Sequence, residues 1–340
     1  MNRASSNTPR ARFTVDEVVQ LTLDFYTRNY IEGLFLSSGI IQTPDYTMEQ
    51  VVEVARRLRE EHDFRGYIHL KTIPDASDDL IARAGRYADR VSINIELPTA
   101  ESLTRLAPEK DAVGIKRSMA RLRTHIDAAD DEAKDRKGPR TFAPAGQSTQ
   151  MIIGADDTSD KAIMETSANL YGSYRLKRVY YSAFSPIPHA AAHLPLKSPP
   201  LVREHRLYQA DWLMRFYGFA AHEIPTAAGG MLQLDVDPKL AWALGHRECF
   251  PVDINRADRE MLLRVPGLGV KAVKRILSAR RVRAVTLDDL ARLRVPLRKV
   301  MPFVTAPGHR GDPLLDTSGF ARAFEKPAQQ LSLFAEQAAE

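Results

Sequence analysis

Apolar residues recur along this chain with two alternating rhythms. From Thr14 to Asn29, Val15, Val18, Val19 and Tyr26 fall at helical spacing, and the run Leu34 to Ser37 follows as a short buried strand ending in Ser-Ser-Gly. Thr47, with Gln50 three residues on and Val51, Val54, Ala55 and Leu58 behind it, has the form of a capping box that opens a helix. The alternation continues with strand 66–71, helix 77–87, strand 91–96, a long charged helix over 99–134, strand 150–154, helix 158–172 and strand 178–184. Five strands interleaved with helices predict βα units and a parallel sheet, whose binding residues lie where the strands end at their carboxyl side.

The rhythm then changes. Residues 135–146 are rich in Lys, Arg, Pro and Gly and read as a loop, and 185–200 hold five prolines and read as extended chain. A helix from Leu201 to Tyr217 places Tyr208, Trp212 and Phe216 on one face, expected to pack on the sheet domain. Beyond it, FPVDINRADREMLLRVPGLGVKAVKRILSARR (250–281) carries the sharpest local pattern. Asn255 is placed to cap a short helix holding Ala257, Met261 and Leu262. The tight turn Pro266-Gly267-Leu268-Gly269 leads into a second helix with Val273, Ile276, Leu277 and Arg280 on one face.

Charge is distributed unevenly over this pattern. The chain as a whole carries +5, whereas residues 251–310 hold 14 Lys or Arg against 5 Asp or Glu. That excess points to a polyanionic partner at one end of the molecule. The glycines at 267 and 269 lack the Cβ that would keep a ligand from the backbone. A phosphate held there meets unpaired N–H groups and the positive end of the second helix. Lys271 adds charge, and Arg264, Lys274 and Arg275 are placed to neutralise neighbouring phosphates. Contacts of this kind give affinity without reading base sequence. A second unit, LARLRVPLRKVMPFV (290–304), repeats the apolar rhythm with Pro296-Leu297 in place of the glycines; it is expected to pack against the first, with Arg298 and Lys299 as auxiliary contacts.

This C-terminal segment resembles the helix-hairpin-helix family of DNA-binding modules. The first 220 residues resemble a radical S-adenosylmethionine barrel, and more narrowly a group of radical SAM proteins assigned to DNA modification or repair. The residues carrying that likeness are YIEGLFLSSGI, YIHLKTIPD, VSINIELPT, QMIIGADD and RVYYSAFSPIP, in that order. The resemblance implies an α/β fold: a partial (β/α)6 barrel lacking its first strand over 1–220, a connecting segment 221–249, and a small all-α helix-hairpin-helix domain over 250–306. The polar tail 307–340 is expected to fray.

The resemblance also implies S-adenosylmethionine contacts at Ser37, Ser38 and Gly39 after the first strand present, and at Asn94 and Glu96 after the third. A degenerate Gly-x-Ile-x-Gly-x-x-Glu motif maps onto Gln150, Ile152, Gly154 and Asp157. In the superfamily three cysteines of a Cys-x3-Cys-x2-Cys loop hold a [4Fe–4S] cluster, and this chain has one cysteine, Cys249, read as a small apolar residue. Met1 falls just after the place of the third cysteine, so the family pattern is expected to be truncated here and the chain inactive in radical chemistry. The implied partner is DNA, with a repair protein beside it.

Two other functions fit the residues: a non-catalytic DNA-binding protein with a decayed barrel, and a Schiff-base lyase using Lys71 beside Glu96. His69, His189, His193 and His205 match no metal-ligand spacing. No apolar run reaches the roughly 18 residues of a membrane helix, and the polar N-terminus has no secretory signal, so a cytoplasmic protein is expected.

Overall fold

The computed structural model describes residues 12–138, 141–186, 194–312 and 320. The chain divides into two compact units, the first running to residue 158 and resuming over 165–204, the second made of 159–164 and 205 onward.

In the first unit, α1 (Val15–Thr27), β1 (Gly33–Leu36), α2 (Pro44–Glu60), β2 (Tyr67–Lys71), α3 (Asp78–Tyr87), β3 (Arg90–Ser92), α4 (Ala100–Leu106), α5 (Ala112–Arg136), β4 (Gln147–Ile153) and β5 (Arg178–Ala183) follow in order; α6 (Asp160–Tyr174), between the last two strands, belongs to this unit from Glu165 onward. All five strands pair in parallel in the order β1-β2-β3-β4-β5, and the sheet curls as a half-barrel with β1 and β5 at its open edges. Ile68, Leu70, Val91, Met151, Ile153 and Val179 are wholly buried, as are Met48, Val52, Ala55 and Leu58 of α2, so the sheet and its covering helices share one apolar core. On edge strand β1, Phe35 is exposed and its ring lies 4.6 Å from that of His69.

Two of the differences from the sequence reading involve a proline. Helix α2 starts at Pro44, with Thr43 as its cap accepting from the Tyr46 amide at 3.1 Å. Thr47 is therefore inside the helix and fully buried; its Oγ1 accepts from the Ile41 amide and donates to the Thr43 carbonyl, both at 2.9 Å. The single long helix expected over 99–134 is two helices. Pro108 disfavours helical geometry at Ala107, where α4 stops, and Asp111 recaps the chain by accepting from the Val113 and Gly114 amides at 2.9 Å.

The second unit contains 221–249 together with 250–306, and also residues 205–220, so the segment expected as a connector belongs to its core. Helix α7 (Leu201–Trp212) runs on into a π-helical turn, Leu213–Tyr217, and stops at Gly218 with φ +79°. Helix α8 (Pro238–Gly245) presents Trp242, whose ring meets Phe219 at 5.7 Å and Phe250 at 6.3 Å, while Phe250 meets Phe303 at 5.2 Å. Around these rings lie α9 (Arg259–Arg264), α10 (Val270–Ala279), α11 (Leu287–Arg292) and α12 (Leu297–Val300). This part is not wholly helical: β6 (Val252–Asp253) pairs in parallel with β7 (Val304–Thr305). Asp258, not Asn255, caps α9; Asn255 instead bonds both backbone groups of Val285, at 2.7 and 3.0 Å. Residues 313–319 and 321–340 of the expected tail lie outside the described residues.

Candidate functional site

At the carboxyl ends of the strands, the sheet brings together some of the residues singled out and separates others. Lys71 at the end of β2 pairs with Glu96 at 3.6 Å, and the Asn94 amide donates to Gln150 Oε1 at 3.2 Å. Asn94 is buried, and Glu96 takes a left-handed backbone, φ +62°, bridging to Met151. Strand β3 is thus shorter than expected, and its polar continuation turns across β4. Ser37 is exposed, and Ser38 donates to the Gly39 carbonyl at 2.8 Å. Gly154 has φ +74°, and a Cβ there would fall 2.6 Å from Pro199 Cγ, so chain after β5 packs where a ligand would need to approach.

Asp157 points to solvent, 99% exposed, while its neighbour Asp156 is the inward carboxylate. Burial pushes Asp156 up, but hydrogen bonding to Ser102 and Thr158, with Arg105 nearby, holds it below the usual carboxylate range. Burial and the Arg90 charge bring His69 down to about 4, so its ring is neutral. His205 is exposed, and His189 and His193 lie outside the described residues. Among the described residues no group of three or more His, Cys, Asp or Glu is arranged to hold a metal ion.

In the second unit α9 and α10 are joined by the turn 265–269. Gly267 has φ +85°, and a Cβ on it would sit 2.8 Å from Val300 Cγ2, so α12 closes directly on the turn. Gly269 is the N-cap of α10 and, being glycine, offers the first-turn amides no side-chain acceptor of its own. Lys271, Lys274 and Arg275 share one exposed face of α10, opposite the buried Val273 and Ile276, and none forms an ion pair among the described residues. Arg298 and Lys299 are exposed as well. Arg264 is different. It is buried, 2.8 Å from Glu223 and 3.1 Å from Glu260, with its guanidinium over the rings of Phe219 and Trp242. That combination of carboxylates and aromatic faces makes it a core cation instead of a phosphate ligand.

Behind the turn, the buried Lys239 donates from Nζ to the Leu268 carbonyl at 2.5 Å, and its ammonium lies 4.7 Å from the centre of the Tyr217 ring. The Tyr217 hydroxyl accepts from the Val270 amide and lies close to Gly269. No protein-family model matches this chain, and no curated protein is significantly similar to it.

Lys239 and Tyr217 are the residues behind the turn that sequence reasoning missed. Lys239 sits within the apolar run PKLAWAL, where a cation interrupting a core helix was the available signal. Burial pushes its amine down to about 7, with Asp237 partly opposing. An unfolded lysine titrates near 10.4, so between about 7 and about 10 the unfolded chain binds more protons and folding stability rises with pH. The stability of the second unit, followed by denaturant unfolding from pH of about 7 to about 9, is expected to increase. The Lys239→Met variant should lack that slope. Parallel pH dependences in the two proteins would show that the amine is not desolvated.

Proposed function

We propose that this protein binds the sugar-phosphate backbone of duplex DNA through a helix-hairpin-helix module formed by α9, α10 and the turn between them. The observation that carries this reading is the start of α10 behind Gly267-Leu268-Gly269, where the N-cap residue has no side chain to fill the place of an anion, beside Lys271, Lys274 and Arg275, which form no ion pair among the described residues. A phosphate there meets the Gly269 and Lys271 amides and three positive charges within one helical turn. Bases are not addressed, so binding has little sequence preference. The +9 excess over residues 251–310 extends the attraction beyond the contact itself.

The parallel half-barrel, with Asn94 and Glu96 at its carboxyl edge, supports a sheet of radical SAM type and a role in nucleic-acid modification or repair. The cofactors implied by that likeness fit the residues present poorly. One cysteine cannot supply three thiolates, Asp157 faces solvent, and Pro199 covers Gly154. No radical step is assigned to this chain, and these features favour a DNA-binding protein without that chemistry. The Lys71–Glu96 pair is equally well explained as a sheet ion pair, so no lyase is proposed. Among the described residues no helix is long and apolar enough to cross a membrane.

The test is a salt titration of the full chain with duplexes of unrelated sequence. Affinity should fall with a log–log slope of about −3 or steeper and differ little between sequences. A slope near zero would remove phosphate neutralisation as the basis of binding.

A further inference from the structure

The second unit holds a cavity of 370 Å3 lined by Tyr208, Gln209, Trp212, Tyr217, Asp237 and Lys239, a volume within the range of small-ligand sites. Its walls are aromatic. Trp212 is 52% exposed, and Phe216, edge-on to it at 5.4 Å, is 45% exposed, so the stripe expected to be a packing face is open. Two of its lining residues contact the turn between α9 and α10: Lys239 bonds the Leu268 carbonyl at 2.5 Å, and the Tyr217 hydroxyl engages the Val270 amide. The π-helical turn Leu213–Tyr217 places Leu213 and Tyr217 on the cavity wall, and such turns recur at functional sites.

Resting on the DNA-backbone reading above, we propose that this cavity receives an unpaired nucleobase of the strand whose phosphate is held at the Gly267-Leu268-Gly269 turn, stacked on Trp212. Because Tyr217 and Lys239 join the cavity wall to the turn, a nucleotide whose phosphate is held there has its base beside the cavity. The exposed aromatic wall offers a stacking surface to any base, and the Gln209 amide and Asp237 carboxylate offer polar atoms to its edge. The occupant is single-stranded or extrahelical DNA, because a base paired in a duplex cannot enter a cavity.

The experiment uses the full chain and three DNAs of one sequence: fully paired, with one unpaired adenine, and with an abasic tetrahydrofuran residue at that place. The unpaired adenine should bind about 5- to 100-fold more tightly than its abasic counterpart, as one stacked base provides. Binding should also quench tryptophan fluorescence. The only other tryptophan, Trp242, is buried against His246, so the quench belongs to Trp212. Trp212→Ala should abolish both effects while leaving affinity for the fully paired duplex unchanged, and Trp212→Phe should retain part of the preference. Equal affinity for adenine and abasic DNA, or a preference that survives Trp212→Ala, overturns the proposal and leaves the turn in place. A Lys271→Ala, Lys274→Ala variant that binds all three DNAs as the wild type does overturns the turn, and with it the placement of the base.

Discussion

Replacing Lys271, Lys274 and Arg275 together by alanine is expected to lower affinity for duplex DNA by a few hundred-fold at about 0.1 M salt, and to flatten the log–log salt slope by about 3. Each neutralised phosphate contributes a slope of about −0.9, which amounts to nearly tenfold per contact at that ionic strength. The three side chains are exposed and outside any ion pair among the described residues, so their removal leaves the core untouched. Circular dichroism and the unfolding midpoint should be those of the wild type. The effect should also be uniform across sequences, because phosphates carry no base information. A triple variant with wild-type affinity and slope would move the DNA contact elsewhere, most directly to Arg292, Arg294, Arg298 and Lys299, which are exposed on the second half of the same unit.

The second large effect is on folding. Gly267→Val should destabilise the second unit by about 3–5 kcal/mol, enough to consume a large part of an ordinary domain's stability. Two costs combine. At φ +85° a β-branched residue is strained, and its Cβ would lie 2.8 Å from Val300 Cγ2 in a core with no room to yield. Gly269→Ala is the matched control: its φ is −95°, and the nearest atom to an added Cβ is the Tyr217 hydroxyl at 3.6 Å. That variant should change stability by less than about 1 kcal/mol. Denaturant midpoints measured by intrinsic fluorescence would separate them, and a Gly267→Val protein as stable as Gly269→Ala would mean that the turn is not held by α12. Gly267 therefore cannot report on phosphate approach, and DNA-binding tests at the turn belong to Gly269 and the lysines.

The alternation of apolar strands and amphipathic helices made the parallel sheet legible, because the central strands bury residues such as Ile68, Leu70, Val91, Met151 and Ile153 and read as short apolar runs. The helical pair around PGLG was legible for a similar reason: Val273 and Ile276 repeat at the spacing of one buried face. Boundaries were harder to read where a side chain had two possible uses. Thr47 and Gln50 match a capping pattern, yet Thr43 and Pro44 one turn earlier open the helix. Asn255 has the chemistry of a cap and spends it on Val285. Side-chain direction was the least legible. Asp156 and Asp157 are adjacent, and only the fold decides which points inward; Arg264 lies in a basic segment, and only the approach of Glu223, 41 residues earlier, makes it a core residue. Lys239 joins a segment that looked like a connector to the turn, a long-range contact that local pattern does not encode.

The short parallel pair of β6 and β7 places Val252 beside Val304, so the chain leaves the α9–α12 segment where it entered it. A stretch with adjacent ends behaves as an insert. Residues can be added or removed at its exposed tip, where Val282 is 88% exposed, without shifting the point at which the flanking chain resumes. Length can therefore vary at that tip while Arg264, Leu268 and Phe303 keep the four helices packed on Glu223, Lys239 and Phe250.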